Sequence, residues 1–260
     1  MKKLTSVLIL AGLMSPQAFA ADAPASPHTV AFNAGVTTDY IFRGISQSQH
    51  NPAVSAGVDY SHASGFYLGS WLSNVKWVQT GGTTAIGDAA YKNNNSLEID
   101  IYGGYKGAVG DIGYDLGAIR YYYPGDTVAG QVSPDTTEAY LGLSWKMLSL
   151  KYSHAISDYF IGWGTLGTTK TKGSNYLELN ASHDLGNGWG LLGHVGQQKV
   201  KNMPLADYTD YKIGVTKDVG FGTVTLAYSD TDANAAGAPY IWDGKDASKG
   251  VTALSFAKSF

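Results

Sequence analysis

Residues 30–44, V-A-F-N-A-G-V-T-T-D-Y-I-F-R-G, alternate in character along almost their whole length. In an extended chain Val30, Phe32, Ala34, Val36, Thr38, Tyr40 and Phe42 face one side, and Asn33, Gly35, Thr37, Asp39 and Arg43 the other. A soluble sandwich strand rarely sustains this for so long. At about 3.3 Å per residue the run is long enough to cross a membrane as a tilted strand, which takes roughly 9–11 residues. The constraint is severe, because a strand in lipid leaves no backbone group unpaired only if the sheet closes on itself.

The rest of the chain repeats the pattern. Alternating runs recur at 53–61, 66–75, 97–106, 111–123, 137–146, 148–153, 176–182, 189–195, 210–216, 224–228 and 250–260, for about twelve strands. Short turns such as His62-Ala63-Ser64-Gly65, Lys146-Met147 and Asp184-Leu185-Gly186-Asn187-Gly188 separate one member of each pair from the next. Longer polar connections at 45–52, 76–96, 124–136, 157–173, 198–207 and 230–249 separate the pairs. The predicted fold is all-β: a transmembrane antiparallel up-and-down β-barrel with long extracellular loops and short periplasmic turns. One phase is ambiguous. Counting puts Arg120 on the apolar face, which requires either a bulge near Ile119 or a position at the polar end of its strand.

Residues 1–20 read as a secretory leader, with Lys2 and Lys3, an apolar stretch over 4–14 and the small-x-small site Ala18-Phe19-Ala20. Residues 21–28, with two prolines, read as a flexible lead-in, and 29–260 as the barrel domain. An exported chain without cysteine is not held by disulfides, so closure of the sheet must supply stability. The net charge is −3 with no basic cluster, which argues against nucleic acid as a partner.

Aromatic residues sort to the strand ends, as membrane interfaces require. Tyr60, Phe66, Tyr105, Trp145, Trp189 and Phe260 fall outward beside tight turns or the C-terminus, and Tyr40, Phe42, Tyr211 and Tyr228 outward beside long loops. These ten are the expected girdles. The opposite face carries Asp39, Arg43, Asp59, Glu98, Asp100, Lys106, Asp115, Glu138, Lys151, Glu178, Asp210 and Lys212, which would line the lumen. Such charges either tune a water-filled path or pair with one another and with Tyr67, Tyr102 and Tyr140 to fill a narrow interior. Asp39 and Arg43, four residues apart, share the inward face as an eyelet pair or as a structural pin.

Three function classes follow. The first is an outer-membrane channel passing small hydrophilic solutes through a narrow charged lumen. The second is a plugged barrel acting through its loops, with Trp77, Trp163 and Trp242 either stacking on sugars or folding the loops over the mouth. The third, an outer-membrane phospholipase, needs serine and histidine together. His154 counts outward, Ser157 falls at a loop edge, and no catalytic motif joins them. His50, His62, His154, His183 and His194 are scattered without ligand spacing, so no metal or cofactor is expected.

Asp39-Tyr40-Ile41-Phe42-Arg43-Gly44-Ile45-Ser46-Gln47-Ser48, followed by Pro52-Ala53, resembles the opening motif of the TorF family of porins. The similarity continues in Gly65-Phe66-Tyr67-Leu68-Gly69-Ser70-Trp71, Tyr121-Tyr122-Tyr123-Pro124-Gly125 and Ser255-Phe256-Ala257-Lys258-Ser259-Phe260. It implies a barrel in the outer membrane of a Gram-negative bacterium, in contact with lipid and lipopolysaccharide. The terminal Phe260 also resembles the signal read by the barrel-assembly machinery, with Lys258 standing where a hydrophobic residue is more usual.

Overall fold

The computed structural model describes residues 26–79, 95–125, 131–233 and 240–260. The leader, its cleavage site and the start of the lead-in lie outside them.

In chain order the strands are β1 (His28–Thr37), β2 (Ile41–Phe42), β3 (Ile45–Ser46), β4 (Ala53–His62), β5 (Phe66–Asn74), β6 (Leu97–Val109), β7 (Ile112–Tyr122), β8 (Thr136–Trp145), β9 (Leu148–Ala155), β10 (Asn175–Gly186), β11 (Trp189–Lys199), β12 (Tyr208–Asp218), β13 (Thr223–Thr231), β14 (Ile241–Trp242), β15 (Lys245–Asp246) and β16 (Val251–Ser259). Twelve of them form one closed antiparallel barrel in the order β1-β16-β13-β12-β11-β10-β9-β8-β7-β6-β5-β4. The β2–β3 and β14–β15 pairs are separate small hairpins. As the alternation predicted, the first strand closes against the last: Asn33 registers with Ser259 and Thr37 with Ser255. Phe260 and Phe32 exchange backbone hydrogen bonds of 2.9 and 3.3 Å beyond the end of β16.

No helix among the described residues is long and apolar enough to cross a membrane. The strands provide the apolar surface instead. Val30, Leu68, Ile101, Leu116, Leu141, Leu179, Ile213, Leu226 and Leu254 all stand exposed on the outer face, a surface suited to lipid rather than water. Leu226 registers with Val215 and Leu254 in the middle of three strands. Replacing it by arginine should cost about 2–4 kcal/mol in denaturant unfolding from lipid vesicles, as expected near the bilayer midplane. Arginine at the adjacent inward Thr225 should cost much less.

Arg120 faces outward at the loop end of β7, where it donates to Asp135 (2.9 Å) and Thr137 (3.1 Å). The pairing of β7 with β6 and β8 runs without a register shift, so the phase needs no bulge. The polar strand end is what accommodates the charge.

One boundary differs from the sequence reading. The first strand stops at Thr37, and the chain then turns into the barrel. Thr37 Oγ1 donates to the Asp39 carbonyl (2.8 Å), and Asp39 itself becomes a buried anchor, taking Ser46 Oγ at 2.6 Å, Ser48 Oγ at 3.0 Å and His50 Nδ1 at 2.7 Å. Phe42 then pairs with Ile45 around Arg43 (φ 47°) and Gly44 (φ 78°). Two consecutive positive φ values are those of a type I′ hairpin turn. Tyr40 and Phe42 are therefore not girdle residues: Tyr40 is 5% exposed, and Phe42 packs on Tyr121 inside the barrel. The alternation that placed them outward continues through 38–42, but the strand pairing that would give it a lipid face has ended.

Candidate functional site: the lumen and its hairpin

The β2–β3 hairpin spans the interior. Counted around the closed order, β8 and β10 are each five strands from β1, one in either direction. Arg43 at the hairpin tip reaches both. Its Nη1 and Nη2 donate to Glu138 Oε1 (3.0 Å) and Oε2 (2.6 Å) on β8, and Nη1 also donates to Gln198 Oε1 (3.0 Å) on β11. The guanidinium lies 4.4 Å from the Tyr176 ring centroid on β10 and 4.8 Å from Phe42. A two-point arginine–carboxylate pair in contact with aromatic faces is geometrically specific and strong. Burial by itself would lower the Arg43 pKa, but the Glu138 carboxylate outweighs it and raises it, so the guanidinium stays charged. Glu138 has no solvent exposure.

The hairpin is fastened along its length as well. Tyr40 donates its hydroxyl to Glu98 Oε1 on β6 (2.6 Å). Burial, followed by the charge of Glu98, pushes this phenol well above its ordinary value, which keeps it a donor. Beside the tip, Gly44 lies against β12 and β13, so close that an added Cβ would sit 2.5 Å from both Asp210 Cβ and Thr231 Cγ2.

The sequence placed the twelve charged lumen positions on the inner side, and the structure brings most of them into three groups. Near the loop end stand Glu98, Asp100 and Glu138, with Arg43 on Glu138, whereas Asp39 is held by Ser46, Ser48 and His50 and does not pair with Arg43. A second group gathers around His194, whose Nε2 lies 2.8 Å from Asp210 Oδ2 and whose Nδ1 lies 2.6 Å from Asn180 Oδ1. Tyr176 donates to the other Asp210 oxygen at 2.7 Å, and Asn180 to Glu178 at 3.0 Å. Lys212 sits in the field of Glu178 and Asp210. The third group lies toward the short turns. Tyr67 donates to Asp115 Oδ1 (2.6 Å) and meets the Tyr140 hydroxyl (2.5 Å), with Lys106 Nζ and Lys151 Nζ over the Tyr67 and Tyr140 rings. Asp59, between the groups, accepts from Tyr102 (2.6 Å) and Asn33 (3.1 Å).

Glycines shape this third group. Tyr67, Gly104, Gly117 and Tyr140 form one register row across β5 to β8. An added Cβ at Gly104 would meet the Tyr67 hydroxyl at 2.6 Å, and at Gly117 the Tyr140 hydroxyl at 2.5 Å. The two rings therefore lie along the wall over the glycines.

His194 and Gln198 were not foreseen as partners. Period-2 counting from the outward Val195 puts His194 inside, but its partners sit on β10 and β12, and only register brings them together. The remaining expected girdle residues do face outward: Phe66, Trp145, Trp189, Tyr211, Tyr228 and Phe260 are exposed, and Tyr60 and Tyr105 are half-buried beside outward neighbours. His154 contacts Tyr152 on the outside, whereas Ser157 Oγ donates to the Tyr159 carbonyl (2.8 Å) within a loop. The two form no nucleophile–base pair.

The loops close over the hairpin through rings. Trp77 packs on Tyr123 (5.1 Å between centroids) and Trp242 (5.9 Å), and Tyr240 on Trp163 (5.5 Å) and Tyr208 (5.3 Å). Beneath them a cavity of about 60 Å³ reaches Arg43 and Gln198. That volume holds a handful of waters.

No curated protein matches the sequence. Among solved structures the fold is similar to that of the NanC porin, at 11% identity and a TM-score of 0.50, covering 89% of this chain and 99% of that one. The KdgM porin aligns at 9% identity and a TM-score of 0.49, covering 89% and 97%. At this level of identity the likeness is one of fold. Residues 21–260 match the family described as "Bacterial protein of unknown function (Gcw_chp)", and the chain belongs to that Gcw_chp family.

Proposed function

We propose that the protein is an outer-membrane channel for small hydrophilic solutes in a Gram-negative bacterium, with the Arg43 hairpin as its constriction. One observation carries this reading: a closed barrel, apolar outside and charged inside, has a segment of its own chain crossing the lumen and held by polar bonds. Ile45 and Phe42 seat the hairpin among apolar side chains, and its Arg43 tip is held by polar bonds that can be exchanged for bonds to water. The resemblance of the 39–53 segment to TorF-family porins supports the same reading. Export through a cleaved leader, contact with lipid and lipopolysaccharide, and assembly through a C-terminal strand ending in Phe260 belong with it.

The lumen favours cations. Asp39, Asp59, Glu98, Asp100, Asp115, Glu138, Glu178 and Asp210 outnumber Arg43, Lys106, Lys151 and Lys212 two to one. Liposomes carrying the purified protein should swell in small neutral solutes and pass potassium in preference to chloride. Liposomes that stay impermeable to all of a graded solute series would refute the channel. They would favour the second reading, a plugged barrel working through its aromatic loop cap, which the buried Arg43–Glu138 pair and the small cavity also support.

A further inference from the structure

The charges around the hairpin do not balance. Glu98, Asp100 and Glu138 lie on the loop half of the inner wall, and Asp100 feels the negative charge of both glutamates. Each glutamate has partners: Glu138 has Arg43, and Glu98 has the Tyr40 hydroxyl. Asp100 has none. It is 7% exposed, and its Oδ1 is enclosed with no hydrogen-bond donor among the described residues. Trp71 and Tyr121 flank it in the register of β5 and β7, so no basic side chain stands beside it on the sheet.

A carboxylate enclosed in this way is strongly disfavoured unless a positive charge joins it. A proton and a cation compete for this carboxylate, and the salt dependence of stability separates them. We propose that Asp100 is the binding station for a compact monovalent cation, either an inorganic ion or a primary ammonium group. A chelated metal does not fit. Among the described residues no three His, Asp or Glu side chains converge on one position, and an ion held by a single carboxylate can leave again. Weak, reversible holding of this kind is what conduction requires. The aromatic cap above is compatible with cation entry, since ring faces attract positive charge.

This inference rests on the channel reading for its role, though the binding itself does not. Two measurements separate the two. In planar bilayers under a KCl gradient, Asp100→Asn should lower the potassium-over-chloride permeability ratio severalfold. Asp111→Asn, the same charge change on an exposed turn, should leave the ratio unchanged. Asp100→Ser removes the charge with a smaller side chain and covers the case in which asparagine disturbs folding. An Asp100 variant with the wild-type ratio overturns the station.

The second measurement needs no conduction. The melting temperature of the purified wild-type barrel should rise when N-methyl-D-glucamine chloride is replaced by KCl at equal ionic strength, and Asp100→Asn should abolish the rise. A methylammonium chloride arm tells whether ammonium groups are accepted. If the wild type is not stabilised by either cation, or the variant is stabilised as much, the site is refuted. If the stabilisation is present but the barrel passes no ions, the channel reading fails and the site stands.

Discussion

Arg43→Ala should raise single-channel conductance and change ion selectivity. The substitution leaves Glu138 in a fully buried position with no cation. Removing one partner of a buried ion pair costs about 3–5 kcal/mol, mostly as the penalty on the charge left behind. The barrel need not bear that cost, because its strands hold one another without the hairpin. It falls on the seated position of the hairpin, whose tip loses the contacts to β8, β10 and β11 at once. At about 1.4 kcal/mol per factor of ten, the seated population should fall by about two to three and a half orders of magnitude relative to the released one. Water can then reach Glu138, and the lumen gains net negative charge. Planar-bilayer recordings provide the check. Lowered barrel stability with unchanged conductance and selectivity would make Arg43 a structural pin. Arg43→Lys should give an intermediate result, since an ammonium keeps the charge but not the two-point geometry.

Gly44→Ala should release the same hairpin without altering any charge. With φ at 78°, the residue lies in the left-handed region, which costs an L side chain about 1–2 kcal/mol. The larger effect is contact. A new Cβ would overlap Asp210 Cβ and Thr231 Cγ2, both at 2.5 Å, and the Asp210 Cβ is fixed directly to the backbone of β12. The tip must back away from β12 and β13, which pulls Arg43 off Glu138. Conductance should rise as in Arg43→Ala, while the potassium-over-chloride ratio changes less because Arg43 remains in the lumen. Hydrogen exchange over residues 40–48 should accelerate in both variants. If Gly44→Ala behaves as the wild type in both measurements, the hairpin is not the constriction.

Most of the barrel is visible in the sequence because its two determinants are local. Period-2 alternation assigns each side chain a face, and connection length assigns each strand end a side. Together they place the twelve strands, the closure of β1 on β16 and the inward position of Glu98, Glu138, Lys151 and Asp210. The hairpin was harder to see. Asp39, Tyr40 and Phe42 keep the alternation of a membrane strand, and period-2 counting does not register that Asp39 is taken by Ser46, Ser48 and His50, seven to eleven residues on. A local trace does exist: Arg43-Gly44 between apolar pairs can form a type I′ turn, as Asp243-Gly244 does between β14 and β15. The partners of Arg43 carry no such trace. Glu138 and Gln198 lie 95 and 155 residues away, and only the radius of the closed barrel sets the distance the hairpin must span.

The row Tyr67, Gly104, Gly117, Tyr140 bears on how wide the barrel can be. Both rings rest over bare backbone at Gly104 and Gly117, so at this row the wall side of each ring is flush, with Lys106 and Lys151 lying over the rings. Two hydrogen atoms set that clearance. A methyl at Gly104 would press on the Tyr67 hydroxyl and on the Leu116 carbonyl, and one at Gly117 on the Tyr140 hydroxyl and the Gly103 carbonyl, so ring and wall must shift together. Because Tyr67 also holds Asp115, and Lys106 and Lys151 lie over the two rings, crowding at this row acts on the calibre and on the charged lining together.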